Sequence, residues 1–577
     1  MSESFENQSV PSSSVSASGN AEPSNMETTL KKSAGFRKWA PLIVLSLALA
    51  IIIIDTTILN VSLSTIIREF NTNIKSMQWV ITLYALILTA FTITGGRLGD
   101  LFGRKKMFVL GAVIFAVGSF ITSISHGVGI MILGEAVIEG FGAALMMPAT
   151  SSLLLTNYKG RDRGIAFGIW GGIAGASSAL GPILGGYFTS NFSWRWAFRI
   201  NVVVVIVLIL GALFIAESRT NEEKPTLDWG GIALSSLGLL LIVFGVIESS
   251  TYGWWIAKEA FTIGGHAFTF FHNISITVLS IDWGLVFLAA FILWELRVEA
   301  QGKTPLVSMK LFRNSQFTSG TLTTAIIFLG QSGMFFTLPV FFQAVRNLDA
   351  FHTGLSLLPL SLSVLITAPL SGFLGKKFAS KRIAQVGILI NTIAFIVLRY
   401  ELSVDATVVT IMPGLIMFGI GMGFLMAQLS NITLSSVPLN QAGEASGVNN
   451  TFRQLGSTLG TAIIGAVLLT TISSNVGKGV EASTILPAAS KPQIEQGLAA
   501  RASSIEFGGA ASLESSLPQE SAQEVGTIVN RSIVNGNKDS FFYASIFAFL
   551  GFLLSFKLPN KKNLEHPEDA AAAPAGH

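Results

Sequence analysis

The chain has no cysteine among its 577 residues. Disulfide bracing, thiol catalysis and thiolate metal sites are therefore excluded. Charge is scarce as well: Asp, Glu, Lys and Arg make up only 12%, where a soluble domain carries roughly 25%. His126, His266 and His272 stand as singletons at or near expected loops, without metal-ligand spacing. There is no Gly-x-x-x-x-Gly-Lys-Ser/Thr loop, so ATP is not the expected energy source. Lys and Arg hug apolar runs rather than forming a stripe, so no nucleic-acid partner is implied. No cofactor and no resident metal are expected. Residues 1–30 contain no Lys or Arg and are rich in Ser, Glu and Asn. Such a stretch reads as a disordered tail, not as a signal peptide.

What remains is apolar. Half of the residues are hydrophobic, and the mean hydropathy is +0.61. Glycine is abundant at 57 residues, as suits helices that pack closely in lipid. Fourteen apolar stretches, the first near 40–62 and the last near 540–557, each approach the ~20 residues that cross a bilayer. The sequence thus predicts an all-α polytopic membrane protein. Fourteen crossings put both termini on one side. The loops on that side hold about twice as many Lys and Arg residues as the others, which predicts cytoplasmic termini. Residues 259–281 read as an external hairpin on the membrane surface. Residues 474–539, rich in Ala, Ser and Glu, read as a polar external loop with some helix.

Asp55 lies inside the first apolar stretch, in Ile51-Ile-Ile-Ile-Asp-Thr-Thr-Ile-Leu-Asn60. A carboxylate at such a depth costs about 2.5–3.5 kcal/mol on insertion scales, and membrane acids commonly mark ion or substrate paths. Asp55 is therefore a candidate for proton or cation handling. A structural pairing with a neighbouring helix is the alternative.

An internal repeat extends this argument. Gly96-Arg-Leu-Gly-Asp100-Leu-Phe-Gly-Arg104-Lys-Lys106 aligns without gaps on Gly372-Phe-Leu-Gly-Lys376-Lys-Phe-Ala-Ser-Lys-Arg382. Gly140-Phe-Gly-Ala-Ala-Leu-Met-Met147 matches Gly419-Ile-Gly-Met-Gly-Phe-Leu-Met426. Two related six-helix bundles with an inserted helix pair follow, a common plan for transporters with a midplane site. At the offset of the loop match, Asp55 falls opposite Gln331. Gln331 either lines a shared path or forms a helix–helix hydrogen bond.

The loop Gly96–Lys106 resembles the signature loop of the major facilitator superfamily. Gly96, Gly99 and Gly103 suit a tight turn between helix ends. Arg97, Asp100 and Arg104 supply charges that clamp in one conformation and release in another. Gly181-Pro182-Ile-Leu-Gly185-Gly186 resembles the motif that separates proton-coupled exporters from importers in that superfamily. Asp55–Asn60, Trp194-Arg-Trp-Ala-Phe198 with Asn201, Asp228-Trp-Gly-Gly, Phe291-Ile-Leu-Trp-Glu295 and Ala442–Gly456 resemble its fourteen-helix drug/proton antiporter branch. One departure stands out. Where the family has Arg followed three residues later by Gln-Gly, this chain has Ala136 and Glu139-Gly140. Glu135 and Glu139 lie four apart, on one face of an α-helix. Two carboxylates that close in low dielectric cannot both ionise cheaply, so the pair reads as a proton carrier or a cation site.

The resemblance implies a major facilitator fold of 6 + 2 + 6 helices. The expected segments are a disordered cytoplasmic tail (1–38), an N-terminal bundle (39–217), the inserted pair (218–300), helices 9–13 (301–476), an external loop (477–539), and the last helix with its tail (540–577). It also implies a monomeric carrier in the cell membrane that exports lipophilic, cationic small molecules in exchange for protons. Asp55, Asn60, Glu135, Glu139 and Gln331 are the expected proton and substrate path. Two rivals stay open: a proton-coupled exporter of a lipid or metabolite, and a receptor or scaffold that moves nothing.

Overall fold

The computed structural model describes residues 24–72, 74–218, 227–263, 266–268, 273–375, 377–488, 490–495 and 518–558. Apolar sequence in a bilayer must satisfy its backbone internally, and helices do so within one segment. The long helices are α1 (Ser24–Phe70), α2 (Ile74–Phe102), α3 (Arg104–Ser123), α4 (Val128–Asn157), α5 (Gly160–Asn191) and α6 (Trp194–Gly211). Then come α7 (Trp229–Tyr252) and α8 (Ile276–Ala300). The second half holds α9 (Ser315–Val345), α10 (Leu358–Leu374), α11 (Ser380–Glu401), α12 (Val408–Leu434), α13 (Ala442–Ala482) and α14 (Gln519–Ser555).

Among the described residues, 12 helices are long and apolar enough to cross a membrane, and α5 is a 13th with a bend of 40°. The expected fourteenth crossing is α10, which has only 17 residues. The bend in α5 separates Asp162–Ser177 from Leu180–Thr189. Pro182 lies just beyond it and lacks the N–H that would bond the carbonyl four residues earlier.

Three boundaries depart from the sequence reading. Helix α1 begins at Ser24, so residues 24–38 of the expected disordered tail are helical; helix propagates readily once the apolar span has nucleated it. Likewise α13 runs on to Ala482 and α14 starts at Gln519, which turns both ends of the expected 477–539 loop into helical arms. Residues 1–23 and 496–517 lie outside the described residues.

Two apolar cores organise the molecule. One is centred on α1–α6 and takes in parts of the inserted pair and the start of α13; the other is centred on α9–α14. Glycines set the helix spacing. A Cβ on Gly118 would lie 2.6 Å from the Glu139 nitrogen, and one on Gly142 would lie 2.5 Å from the Phe115 nitrogen. Helix α3 therefore lies against α4 at a distance no larger residue permits. The inserted α7 and α8 pack on each other and join through a two-stranded hairpin, β1 (Phe261–Ile263) and β2 (His266–Phe268), paired antiparallel with Ile263 opposite His266. Helix α7 touches both α2 and α13, so the inserted pair leans on both halves.

Candidate functional site

Asp55 on α1 and Glu135 and Glu139 on α4 converge inside the first half. All three are at most 1% exposed, and ligand oxygens from the three lie within 4.8 Å of one another. Asp55 contacts both glutamates. Two further helices tie the cluster down. Asn201 Nδ2 of α6 donates to Asp55 Oδ1 at 2.7 Å and to Ser119 Oγ at 3.0 Å. Ser119 of α3 donates to Glu139 Oε1 at 2.5 Å. Among the described residues, no hydrogen-bond donor meets Asp55 Oδ2, Glu135 Oε2, Glu139 Oε2 or Asn201 Oδ1, and the buried hydroxyl of nearby Tyr84 has no partner either. A group of acceptors this dense calls for a proton or a cation between its oxygens. By spacing alone the three carboxylates could hold a metal ion.

The local backbone is unusual here. Ile132–Glu139 forms a π-helix that carries both glutamates. Such wide turns are rare and concentrate at functional positions. The sequence reading gave the pair one α-helical face; apolar pattern alone does not distinguish an α from a π turn. In the sequence Asn201 enters only through the resemblance of its motif, and Ser119 and Tyr84 carry no motif at all. Their common signal is a polar group in an otherwise apolar helix.

The 181–186 segment packs on the same stretch of α1. A Cβ on Gly181 would fall 1.6 Å from Thr57 Oγ1, and one on Gly185 would lie 3.2 Å from Ile58 Cα. On the side facing the second half, Gly186 meets Phe351, and Ile183 and Pro182 meet Gly354. Helix α5 thus touches both the carboxylate-bearing helix and the opposite half.

The loop of Gly96–Arg104 joins the halves at the other end of the molecule. Asp100 Oδ1 accepts from Gly443 N at 2.9 Å, and its Oδ2 from Glu444 N at 2.8 Å, so Asp100 occupies the first turn of α13. Arg104 donates to Asp100 at 2.5 Å and to the Leu439 carbonyl at 2.6 Å. Arg97 lies near Glu444. A Cβ on Gly96 would come 2.3 Å from the Gly443 carbonyl oxygen. Gly103 has φ 113°, a conformation that only glycine adopts readily, while Gly99 faces the Arg104 side chain. Nearby, Ser446 of α13 bonds Ser151 and the Pro148 carbonyl of α4.

At the opposite face Glu69 closes a smaller clamp. It accepts from Trp194 Nε1 at 2.6 Å and pairs with Arg195 at 2.5 Å. Burial alone would raise the Glu69 carboxyl, but the bonds from Arg195 and Trp194 outweigh it and hold it below the usual carboxylate range.

Gln331 is 2% exposed on α9, and among the described residues neither amide atom finds a partner. It resembles Asp55 in being a buried, unsatisfied polar group. Between the halves lies a cavity of about 20 Å³ lined by Trp170, Gly171, Phe328, Met426, Ser430 and Arg453, among others. Neither Asp55 nor Gln331 is among its walls; Asp55 instead bonds Asn201 within the first half. The backbone of Asn60 is helical, but its side chain lies outside the described residues. If the Gln331 amide serves only packing, Gln331→Leu should be neutral or stabilising, since an unsatisfied buried amide costs about 1–3 kcal/mol. A cargo role instead predicts altered cargo preference. Melting temperature and a cargo panel, measured on one preparation, separate the two.

Comparison with known proteins agrees with this architecture. Residues 45–461 match the model of the Major Facilitator Superfamily. The probable actinorhodin transporter of Streptomyces coelicolor is 29% identical, covering 80% of this chain and 78% of that protein. The tetracenomycin C resistance and export protein of Streptomyces glaucescens is 27% identical, covering 89% and 90%. The multidrug efflux pump LfrA of Mycolicibacterium smegmatis is 29% identical, covering 85% and 90%. Among solved structures, the proton:xylose symporter XylE superposes with a TM-score of 0.55 at 12% identity, covering 93% of this chain and 99% of that one; this likeness speaks for the fold alone. The match over most of the chain, on an all-helical membrane architecture, makes this protein a member of the Major Facilitator Superfamily, a transporter and not an enzyme.

Proposed function

We propose that the chain is a proton-coupled exporter of lipophilic small molecules, working by alternating access in the cell membrane with both termini cytoplasmic. The observation that carries the reading is the cluster of Asp55, Glu135 and Glu139, buried within the first half with three oxygens that meet no donor among the described residues. In a low-dielectric interior such a cluster binds a proton or a cation rather than standing fully ionised. The relatives named for drug and antibiotic export support the direction of transport. Gly181 and Gly185, pressed against α1 beside Asp55, offer a route by which a change at the cluster reaches α5 and, through Gly186 and Phe351, the second half.

In this reading external protons load the cluster, cargo leaves outward, and deprotonation toward the cytoplasm resets the carrier. The six-helix halves rock about the central cavity, with Gly96–Arg104 locking one end. The expected preference for cationic cargo came from the family resemblance. None of the three acids lines the cavity, so a dye panel should show no fixed preference for cations arising from them.

Proteoliposomes containing a trapped pH dye test the proposal. Addition of an exported compound such as ethidium should move protons across the membrane in proportion to cargo. Flux without proton movement would sink the coupling; absence of flux for a broad panel would favour a receptor or scaffold. If Glu135 and Glu139 share the coupled proton, single Gln substitutions should shift the pH optimum of efflux. A pH profile superimposable on wild type, at reduced rate, would assign the pair a structural role.

A further inference from the structure

Arg453 is a cation placed where the fold gives it little reason to be. It lies on α13 about 16 Å along the helix from Ala442, at ~1.5 Å per residue, inside a segment apolar enough to cross a membrane. An ionisable group at such depth is costly, and it usually faces a path or a partner. Among the described residues no carboxylate pairs with Arg453. Its guanidinium donates to the Met147 sulfur of α4 at 3.2 Å and lies 5.5 Å from the centre of the Phe328 ring on α9. A thioether is a weak acceptor, so most of the five N–H donors of the fork remain to be used.

The surroundings describe what could use them. Arg453 forms one wall of the cavity between the halves. Trp170 and Gly171 of α5 form another, with Phe328 of α9 and Met426 and Ser430 of α12 completing it. Flat aromatic faces, a polarizable thioether and a hydroxyl surround a single fixed positive charge. The acids that could have neutralised it are held in the first half by Asn201 and Ser119.

We propose that Arg453 recognises the anionic or electron-rich end of a flat aromatic cargo, a carboxylate, sulfonate or enolate, while Trp170 and Phe328 take its rings. A planar guanidinium matches such oxygens bidentately. At about 20 Å³ the space holds one water and no cargo. Met147 and Trp170 belong to one half, and Arg453 and Phe328 to the other. Separation of the halves therefore breaks the weak Arg453–Met147 contact and opens the site without repacking either bundle. The inference deepens the export reading by naming a cargo class, and it rests on that reading only for movement, not for binding.

Equilibrium binding to the purified full chain tests it, using fluorescein (anionic at pH 8) and ethidium (cationic) as paired planar probes. Wild type should bind fluorescein. Arg453→Gln should lower the fluorescein-to-ethidium affinity ratio by about tenfold or more, the scale of one lost charge-assisted interaction. Arg453→Lys, which keeps the charge but not the fork, should fall between the two. Failure of wild type to bind fluorescein, or an unchanged ratio in folded, monodisperse Arg453→Gln, overturns the proposal. Proton-driven ethidium efflux by wild type is read separately. Its absence, with the ratio shifted as expected, sinks the export reading and leaves this inference standing; the converse result spares export and sinks the inference.

Discussion

Asp55→Asn is expected to yield a folded protein whose efflux under an imposed pH gradient falls to the background of empty vesicles. The amide is close to isosteric with the carboxylate. Its oxygen can still accept the 2.7 Å bond from Asn201, so α1 should keep its seat against α6. What disappears is the capacity to hold and release a proton, since an amide does not titrate in the working range. Asp55 is the member of the cluster that comes from α1, the helix against which Gly181 and Gly185 pack. Removing its charge also cuts the acidic cluster to the two glutamates of α4, so any cation binding there should weaken with proton coupling. The measurement is substrate-induced proton movement in proteoliposomes, beside melting temperature. Undiminished, gradient-driven efflux of every cargo by the Asn variant would remove Asp55 from the coupling mechanism.

The sequence exposes some links of this chain of reasoning and hides others. Helix positions were legible because lipid demands long apolar runs, and each such run became a helix. The ends were not: α1, α13 and α14 continue past their apolar windows, because backbone hydrogen bonding outlasts hydrophobicity. Asp55, Glu135 and Glu139 were legible one at a time, as acids in apolar helices. Their convergence was not, since it requires α1 to meet α4 at one depth, a tertiary contact that the apolar pattern of either helix alone does not record. The π-helix over Ile132–Glu139 leaves no trace in composition. The internal repeat pointed to Gln331, a polar position that is indeed buried, yet could not say that its amide would find no partner among the described residues. Arg453 lies within the Ala442–Gly456 stretch, and a motif resemblance carries no sign that its charge meets a thioether rather than a carboxylate among the described residues.

Asp100→Asn should change which face of the carrier is open. In the present arrangement Asp100 joins the halves through bonds to Gly443 and Glu444 at the start of α13 and holds Arg104, which also reaches the Leu439 carbonyl. Gly96 against Gly443, and Ser446 against Ser151 and Pro148, continue the same seam. Opening this end must break these contacts together, so they weigh on the equilibrium between access states rather than on cargo affinity. Replacing the carboxylate by an amide keeps one acceptor oxygen but sets an N–H donor against backbone N–H, and leaves the buried Arg104 with a weaker partner. Hydrogen bonds to a charged group are worth about 1.5–3 kcal/mol, which corresponds to roughly a 10- to 100-fold shift between states. Single-Cys reporters are convenient because the native chain has no cysteine. Ser446→Cys sits in the seam and should react slowly with a water-soluble maleimide. Ile183→Cys lies near the opposite end, where α5 meets Gly354. In the Asp100→Asn background the Ser446→Cys rate should rise by about 10- to 100-fold while the Ile183→Cys rate falls, with dye affinity measured in detergent little altered. An unchanged labelling ratio would mean that Asp100 caps α13 and positions Arg104 without acting on the conformational cycle.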